Sequence, residues 1–298
     1  MIKTTYFRSV LRFFSKGILF SFFIYLLFKR TDTIDLGSFQ ITSYFSLIGC
    51  LLLTPLNWFI EWMKWKEILV AIKEKENPNN LTAFASGIVT SFLTPSLSGN
   101  FIGRMFYYEK SKRWKITGHS IVANFSQFLI SVVVGLFALQ FAPSLFDVKN
   151  WGSLLIWAFT FLLLALFFFG EKILKNVPIN KLQSLMIQVD KGPSRLRIFF
   201  LSFLRYFIFI AQYVLALSAF GERINFTLLC LIAVIFLLIT LTPSLFFGKI
   251  IVRESIAVFV FSYVGMGPLP AAFASFTTWL FNLLFPAMIA LLFVKNKK

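Results

Sequence analysis

Five ionisable side chains stand where an apolar surrounding makes them expensive. Arg205 lies inside a long apolar run, roughly two helical turns from one end, close enough for its head group to snorkel instead. Lys249, Arg253 and Glu254 follow the break Thr242-Pro243-Ser244-Leu245 in another, and Arg104 follows a matching break, Thr94-Pro95-Ser96-Leu97. A cation near the centre of a bilayer costs about 2.5–3.5 kcal/mol on insertion scales, so such residues mark pathways or binding sites. Helix ends made by the breaks add free N–H groups and positive dipole ends. Basic side chains with helix N-termini suit an anion, above all a phosphate, and beside lipid the available anion is a phospholipid headgroup. The candidate substrate-binding set is therefore Arg104, Arg253, Lys249, Glu254 and Arg205, with Gly99, Asn100 and Gly248 beside the breaks and Pro95 and Pro243 as the breakers.

Catalytic chemistry is less well provided for. The chain has one histidine, His119, at an expected membrane boundary, and neither an acidic pair within a span nor a His/Asp/Glu cluster with metal-ligand spacing. General acid–base or metal-assisted catalysis needs such groups. The expectation is a protein without catalytic residues, metal or cofactor, although Glu254 alone could serve a membrane-embedded enzyme as a base. Cys50 and Cys230 lie in apolar stretches and suit packing.

The elements that must position these residues are membrane helices. Of 298 residues, 58% are hydrophobic and 14% charged, and 41 are Phe; a soluble domain carries about a quarter charged residues. Runs long enough to cross the hydrocarbon core lie near Arg12–Phe28, Ile41–Ile60, Gly118–Phe141, Trp151–Phe169, Arg197–Phe220 and Pro268–Val294. Two further regions, Leu81–Glu109 and Ile224–Tyr263, contain the Pro- and Gly-bearing breaks, which interrupt a helix. Each reads as a re-entrant helical hairpin, with two full crossings an alternative for the second. The predicted fold is an all-α polytopic membrane protein of six spans and two hairpins, forming one domain.

The net charge of +17 is distributed as a topology signal and not as the basic face or arm of a nucleic-acid binder. With the N-terminus in the cytoplasm, twenty-two Lys and Arg fall on inner segments, Lys64 and Lys66 among them, and four on outer loops. This places both termini in the cytoplasm of a cell whose plasma (inner) membrane holds the chain. Trp58, Trp62 and Trp65 with Lys64 and Lys66 read as an interfacial belt. Asn124, Gln127 and Ser131 share one face of a span, and Thr278 and Asn282 another; interhelical hydrogen bonding is the simpler explanation for them.

The breaks repeat. Leu93-Thr94-Pro95-Ser96-Leu97 recurs letter for letter as Leu241-Thr242-Pro243-Ser244-Leu245, and Gly99 and Arg104 share their spacing with Gly248 and Arg253. The offset is half the chain, which suggests repeat halves of residues 1–148 and 149–298. Three expected crossings separate the hairpins, so they would enter from opposite faces as an inverted-topology repeat, a pattern found around transporter sites near the midplane.

At these breaks the sequence resembles the lysylphosphatidylglycerol synthase transmembrane region, or flippase-like domain family. The residues that carry the resemblance are Thr94-Pro95 through Gly99-Asn100-Phe101-Ile102-Gly103-Arg104, followed by the basic run Lys110–Lys115, and Thr242-Pro243 through Gly248 and Val252-Arg253-Glu254. The resemblance implies a lipid translocase fold with lipid contacts at Gly99, Arg104, Gly248, Arg253 and Glu254, and the membrane part alone, without an aminoacyltransferase domain. Family members commonly carry an acid directly after each motif glycine. Here Asn100 and Lys249 stand in those places, a balance that favours an anionic headgroup or a polyprenyl phosphate over a cationic aminoacyl one.

The leading expectation is a lipid flippase or transporter. With no nucleotide-binding loop, movement would be driven by gradients or mass action. The alternatives are a membrane-embedded enzyme and a non-catalytic partner in envelope lipid or glycan biosynthesis.

Overall fold

A computed structural model describes residues 40–94, 98–141, 150–175, 193–242 and 248–294. The described residues form helices and no strand: α1 (Tyr44–Ala71), α2 (Asn80–Leu93), α3 (Ser98–Met105), α4 (Lys110–Leu139), α5 (Asn150–Lys175), α6 (Arg195–Ala219), α7 (Phe226–Leu241), α8 (Gly248–Ser262) and α9 (Pro268–Trp279). A π-helical turn, Leu280–Leu284, then joins α9 to α10 (Phe285–Phe293). Contacts divide the chain into Met1–Ile41 and a larger body, Thr42–Lys298, and every element named here belongs to the body.

Five helical stretches are long and apolar enough to cross a membrane: Tyr44–Ala71, Lys110–Leu139, Gly152–Gly170, Arg195–Ala219 and Pro268–Phe293. They coincide with five of the six spans expected from sequence; the first, Arg12–Phe28, lies outside the described residues. Their outward faces are greasy, with Phe45, Leu155 and Leu292 at 88%, 72% and 83% exposure. Patches of that kind belong against lipid. The protein is an all-helical polytopic membrane protein.

Local chemistry explains several helix ends. Side-chain oxygens of Ser43, Ser194 and Asn225 accept hydrogen bonds from the backbone N–H groups of Ser46, Arg197 and Leu228, capping α1, α6 and α7 as such residues do. At the two breaks the terminators match. Thr94 and Thr242, each preceding a proline, are extended at ψ 151° and 112°, as clash with a following proline ring requires. Each donates its hydroxyl to the carbonyl four residues back, Thr94 to Thr90 at 2.8 Å and Thr242 to Leu238 at 2.7 Å.

Helix α1 runs antiparallel along α6, since Thr42 N–H donates to the Ala219 carbonyl at 2.8 Å while Arg205 meets Asn57 farther along. Beside this pair, α2 and α3 pack almost backbone to backbone. A Cβ on Gly99 would lie 2.0 Å from Thr94 Oγ1, and one on Gly103 2.2 Å from Thr90 Oγ1 and 2.5 Å from the Ser86 carbonyl. Glycines four residues apart share a helix face and permit this approach. Helix α4 packs along α7, α8 against α9, and α10 against α2.

Three sequence expectations change here. Helix α1 continues past Ile60 to Ala71, so Lys64 is a helical residue at 2% exposure and not a loop cation. Trp65 is fully buried; only Lys66, over the Trp62 ring at 5.7 Å, keeps the outward position of a belt residue. His119 is 2% exposed, inside the bundle instead of at its rim. Burial decides all three: Lys64 sits against Glu61 one turn back on its own helix, and Trp65 packs against Arg104 and Tyr108 from outside it, contacts that composition along one run does not register.

Candidate functional site

The site is assembled on one carboxylate. On α1, Asn57, Glu61 and Lys64 follow the spacing of a single helix face, and that face is buried. Glu61 is 3% exposed. Its Oε1 accepts from Arg104 Nη2 at 3.1 Å and Asn100 Nδ2 at 3.2 Å; its Oε2 accepts from Arg205 Nη1 at 2.7 Å and lies 3.5 Å from Lys64 Nζ. Helix α3 supplies Asn100 and Arg104, placed by the glycine contact with α2, and α6 supplies Arg205. Three cations thus share one anion in a buried setting.

Aromatic rings replace part of the water these cations lose. The Arg104 guanidinium stacks over Trp65 at 4.7 Å and Phe84 at 5.0 Å, and Arg205 over Trp58 at 5.5 Å and Phe209 at 5.3 Å. Such contacts strengthen when desolvated, to about 2 kcal/mol or more.

From Arg205 the polar contacts continue across the bundle. Its Nε donates to Asn57 Oδ1 at 2.7 Å, and Asn57 Nδ2 donates to Asn282 Oδ1. Asn282 Nδ2 donates to Gln212 Oε1 at 2.8 Å and to the Thr278 carbonyl at 3.0 Å. Gln212 Nε2 donates to the Cys50 carbonyl and to Thr54 Oγ1. At the far end, Arg253 Nη2 donates to Thr278 Oγ1 at 3.4 Å. The arginines that follow the two breaks are therefore the ends of one set of polar contacts.

Asn282 owes its position to the π turn. Pro286, at the start of α10, has no N–H to offer the carbonyl four residues back, that of Asn282 itself, and its ring crowds that turn. A widened turn relieves both problems, and such turns recur at functional sites.

Of the residues singled out from sequence, Arg104, Asn100 and Arg205 meet at Glu61, while Gly99 sets the α2–α3 approach. Gly248 opens α8. Arg253 joins through Thr278, and Glu254, next to it on α8, acts electrostatically on it. Arg205 takes its carboxylate partner from Glu61 on α1. Pro95, Pro243 and the Lys249 side chain lie outside the described residues. Sequence reading missed Glu61, Lys64, Asn57 and Gln212 as site residues. A signal existed: an acid and a base three apart, with Asn four residues before the acid, spread across and around the aromatic run Trp58-Phe59-Ile60-Glu61-Trp62.

The position after the motif glycine also acquires a reason. Asn100 donates to a Glu61 oxygen, whereas an acid there would set two carboxylates against each other. Among the described residues, no group of three His, Cys, Asp or Glu stands together as a metal site.

The family model of the lysylphosphatidylglycerol synthase TM region matches residues 13–290. Neither the curated proteins nor the solved structures contain a match. With the model spanning nearly all of the chain, this protein belongs to the lysylphosphatidylglycerol synthase transmembrane-region family, whose members are membrane proteins related to lipid handling.

Proposed function

We propose that the protein is a flippase or transporter that moves a phospholipid, or another lipid with an anionic headgroup, between the leaflets of the plasma (inner) membrane. The observation that carries this reading is the cluster itself: Lys64, Arg104 and Arg205 converge on the single carboxylate of Glu61, and polar contacts continue from there to Arg253. Buried charge without a full complement of counter-charge is costly. A headgroup phosphate supplies the missing charge, while its acyl chains stay among the apolar outer faces.

The matched terminators at Thr94 and Thr242 support a two-fold internal repeat. In this reading α2–α3 and α7–α8 are re-entrant hairpins entering from opposite faces, with both termini cytoplasmic. Alternating exposure of the two hairpins then offers the Arg104 end and the Arg253 end to opposite leaflets, as paired broken helices do in transporters.

The test is a leaflet-exchange assay in proteoliposomes with labelled anionic and zwitterionic lipids, comparing wild type with Arg104→Ala/Arg253→Ala. Selective exchange of anionic lipids, lost in the double variant, is the expected result. A folded preparation that exchanges no lipid refutes the reading.

A further inference from the structure

Charge and donor geometry at the cluster distinguish between kinds of phosphate. Around Glu61 stand Lys64, Arg104 and Arg205, so positive charges outnumber negative by two among groups whose side chains are between 2% and 15% exposed. Among the described residues, the other charged groups nearby do not change this balance. Glu67 on α1 is taken by Arg197 at 3.4 Å, Lys66 is exposed, and Arg253 and Glu254 are a cation and an anion side by side beyond Thr278.

The donors are also in excess. Arg104 commits Nη2 to Glu61, while its buried Nε has no partner among the described residues. Arg205 commits Nε to Asn57 and Nη1 to Glu61, and the ammonium of Lys64 carries three donors with one carboxylate partner. Arg205 is the most open of the three cations, at 15% side-chain exposure against 2% and 3%, so an incoming group meets it first.

We propose that the cluster recognises a terminal, doubly charged phosphate, a phosphomonoester headgroup, in preference to the singly charged phosphodiester of most phospholipids. This rests on reading the cluster as the headgroup site. A phosphodiester with no other charge brings one negative charge and leaves one buried cation uncompensated. A phosphomonoester brings about 1.5 to 2 negative charges at pH 7 and three terminal oxygens, which matches both the excess charge and the spare donors. Arginine and lysine are suited to such oxygens. Phosphatidic acid and a polyprenyl phosphate share this chemistry, as does inorganic phosphate without the lipid.

Binding to the purified full chain in neutral detergent at pH 7.5 tests the proposal without requiring transport. The probes are short-chain phosphatidic acid, a short polyprenyl phosphate, inorganic phosphate and short-chain phosphatidylglycerol. We expect the lipid monoesters to bind at least about tenfold more tightly than phosphatidylglycerol. Arg205→Gln removes one excess charge and should erase that preference; Arg205→Lys keeps the charge and should keep it. Whichever of the two lipid monoesters binds more tightly identifies the lipid type. Inorganic phosphate binding as tightly as the lipids supports the dianion but assigns it to a soluble ligand. Equal binding of phosphatidic acid and phosphatidylglycerol by wild type overturns the proposal, as does a preference unchanged in folded Arg205→Gln. A monoester preference without leaflet exchange would leave this inference standing while the transporter reading fails. Exchange without the preference would do the reverse.

Discussion

Replacing Glu61 by glutamine removes the carboxylate that the three clustered cations share, at nearly constant volume. In the native arrangement three positive groups lie 2.7, 3.1 and 3.5 Å from its oxygens. Unit charges about 4 Å apart attract by about 4 kcal/mol at an effective dielectric constant near 20. The three attractions are offset by repulsions among the cations and by the cost of removing all four groups from water. Glutamine abolishes the attractions and leaves the repulsions and the desolvation in place. Removing one partner of a buried pair costs about 3–5 kcal/mol, and three stranded cations put the expected loss near the top of that range. Equilibrium unfolding of the purified chain in mixed micelles, titrated with denaturing detergent and followed by tryptophan fluorescence, measures it. The double variant Glu61→Gln/Arg205→Gln should recover part of the loss, because removing both partners is milder than stranding one. A loss below about 1 kcal/mol, or no recovery in the double variant, would refute the charge balance described for this cluster.

Gly103→Leu should cost at least about 1–3 kcal/mol by forcing α2 and α3 apart, whereas Gly170→Ala, whose added Cβ meets nothing within 4 Å, should be neutral or slightly stabilising; parallel unfolding curves compare them, and equal stabilities would refute the close approach. Glu74, in the connection after α1, accepts from Lys112 Nζ and from Asn77 Nδ2, and these bonds hold its carboxyl below the usual 4.5. A carboxyl lowered by folding contributes stability above its unfolded value and loses that contribution as pH falls through the folded one. Glu74→Gln should therefore melt below wild type at pH 7.5, with the gap closing as pH falls below about 4.5; parallel melting profiles from pH 7.5 to 3 would refute the assignment.

Much of the architecture was legible in the sequence because membrane insertion is read one segment at a time. A run such as Arg197–Phe220 needs only sufficient apolar length to form α6, and Pro after Thr94 or Thr242 ends a helix through local sterics. The same locality explains the misplaced end of α1. Glu61 and Lys64 looked like the edge of a span because charge is costly in lipid, but that cost is set by partners on α3 and α6, which local composition does not contain.

By itself, then, the sequence determined the multi-pass helical character, the two break points and the family, since these follow from hydropathy, proline sterics and short motifs. It also marked Arg104, Arg205 and Arg253 as out of place. Only the tertiary structure decided what those residues do together. Arg205 lies 144 positions from Glu61 and Asn57 lies 225 from Asn282, so no local pattern links them. Bundle packing brings them within hydrogen-bond distance, and a buried carboxylate surrounded by cations requires that packing before its charge can be balanced.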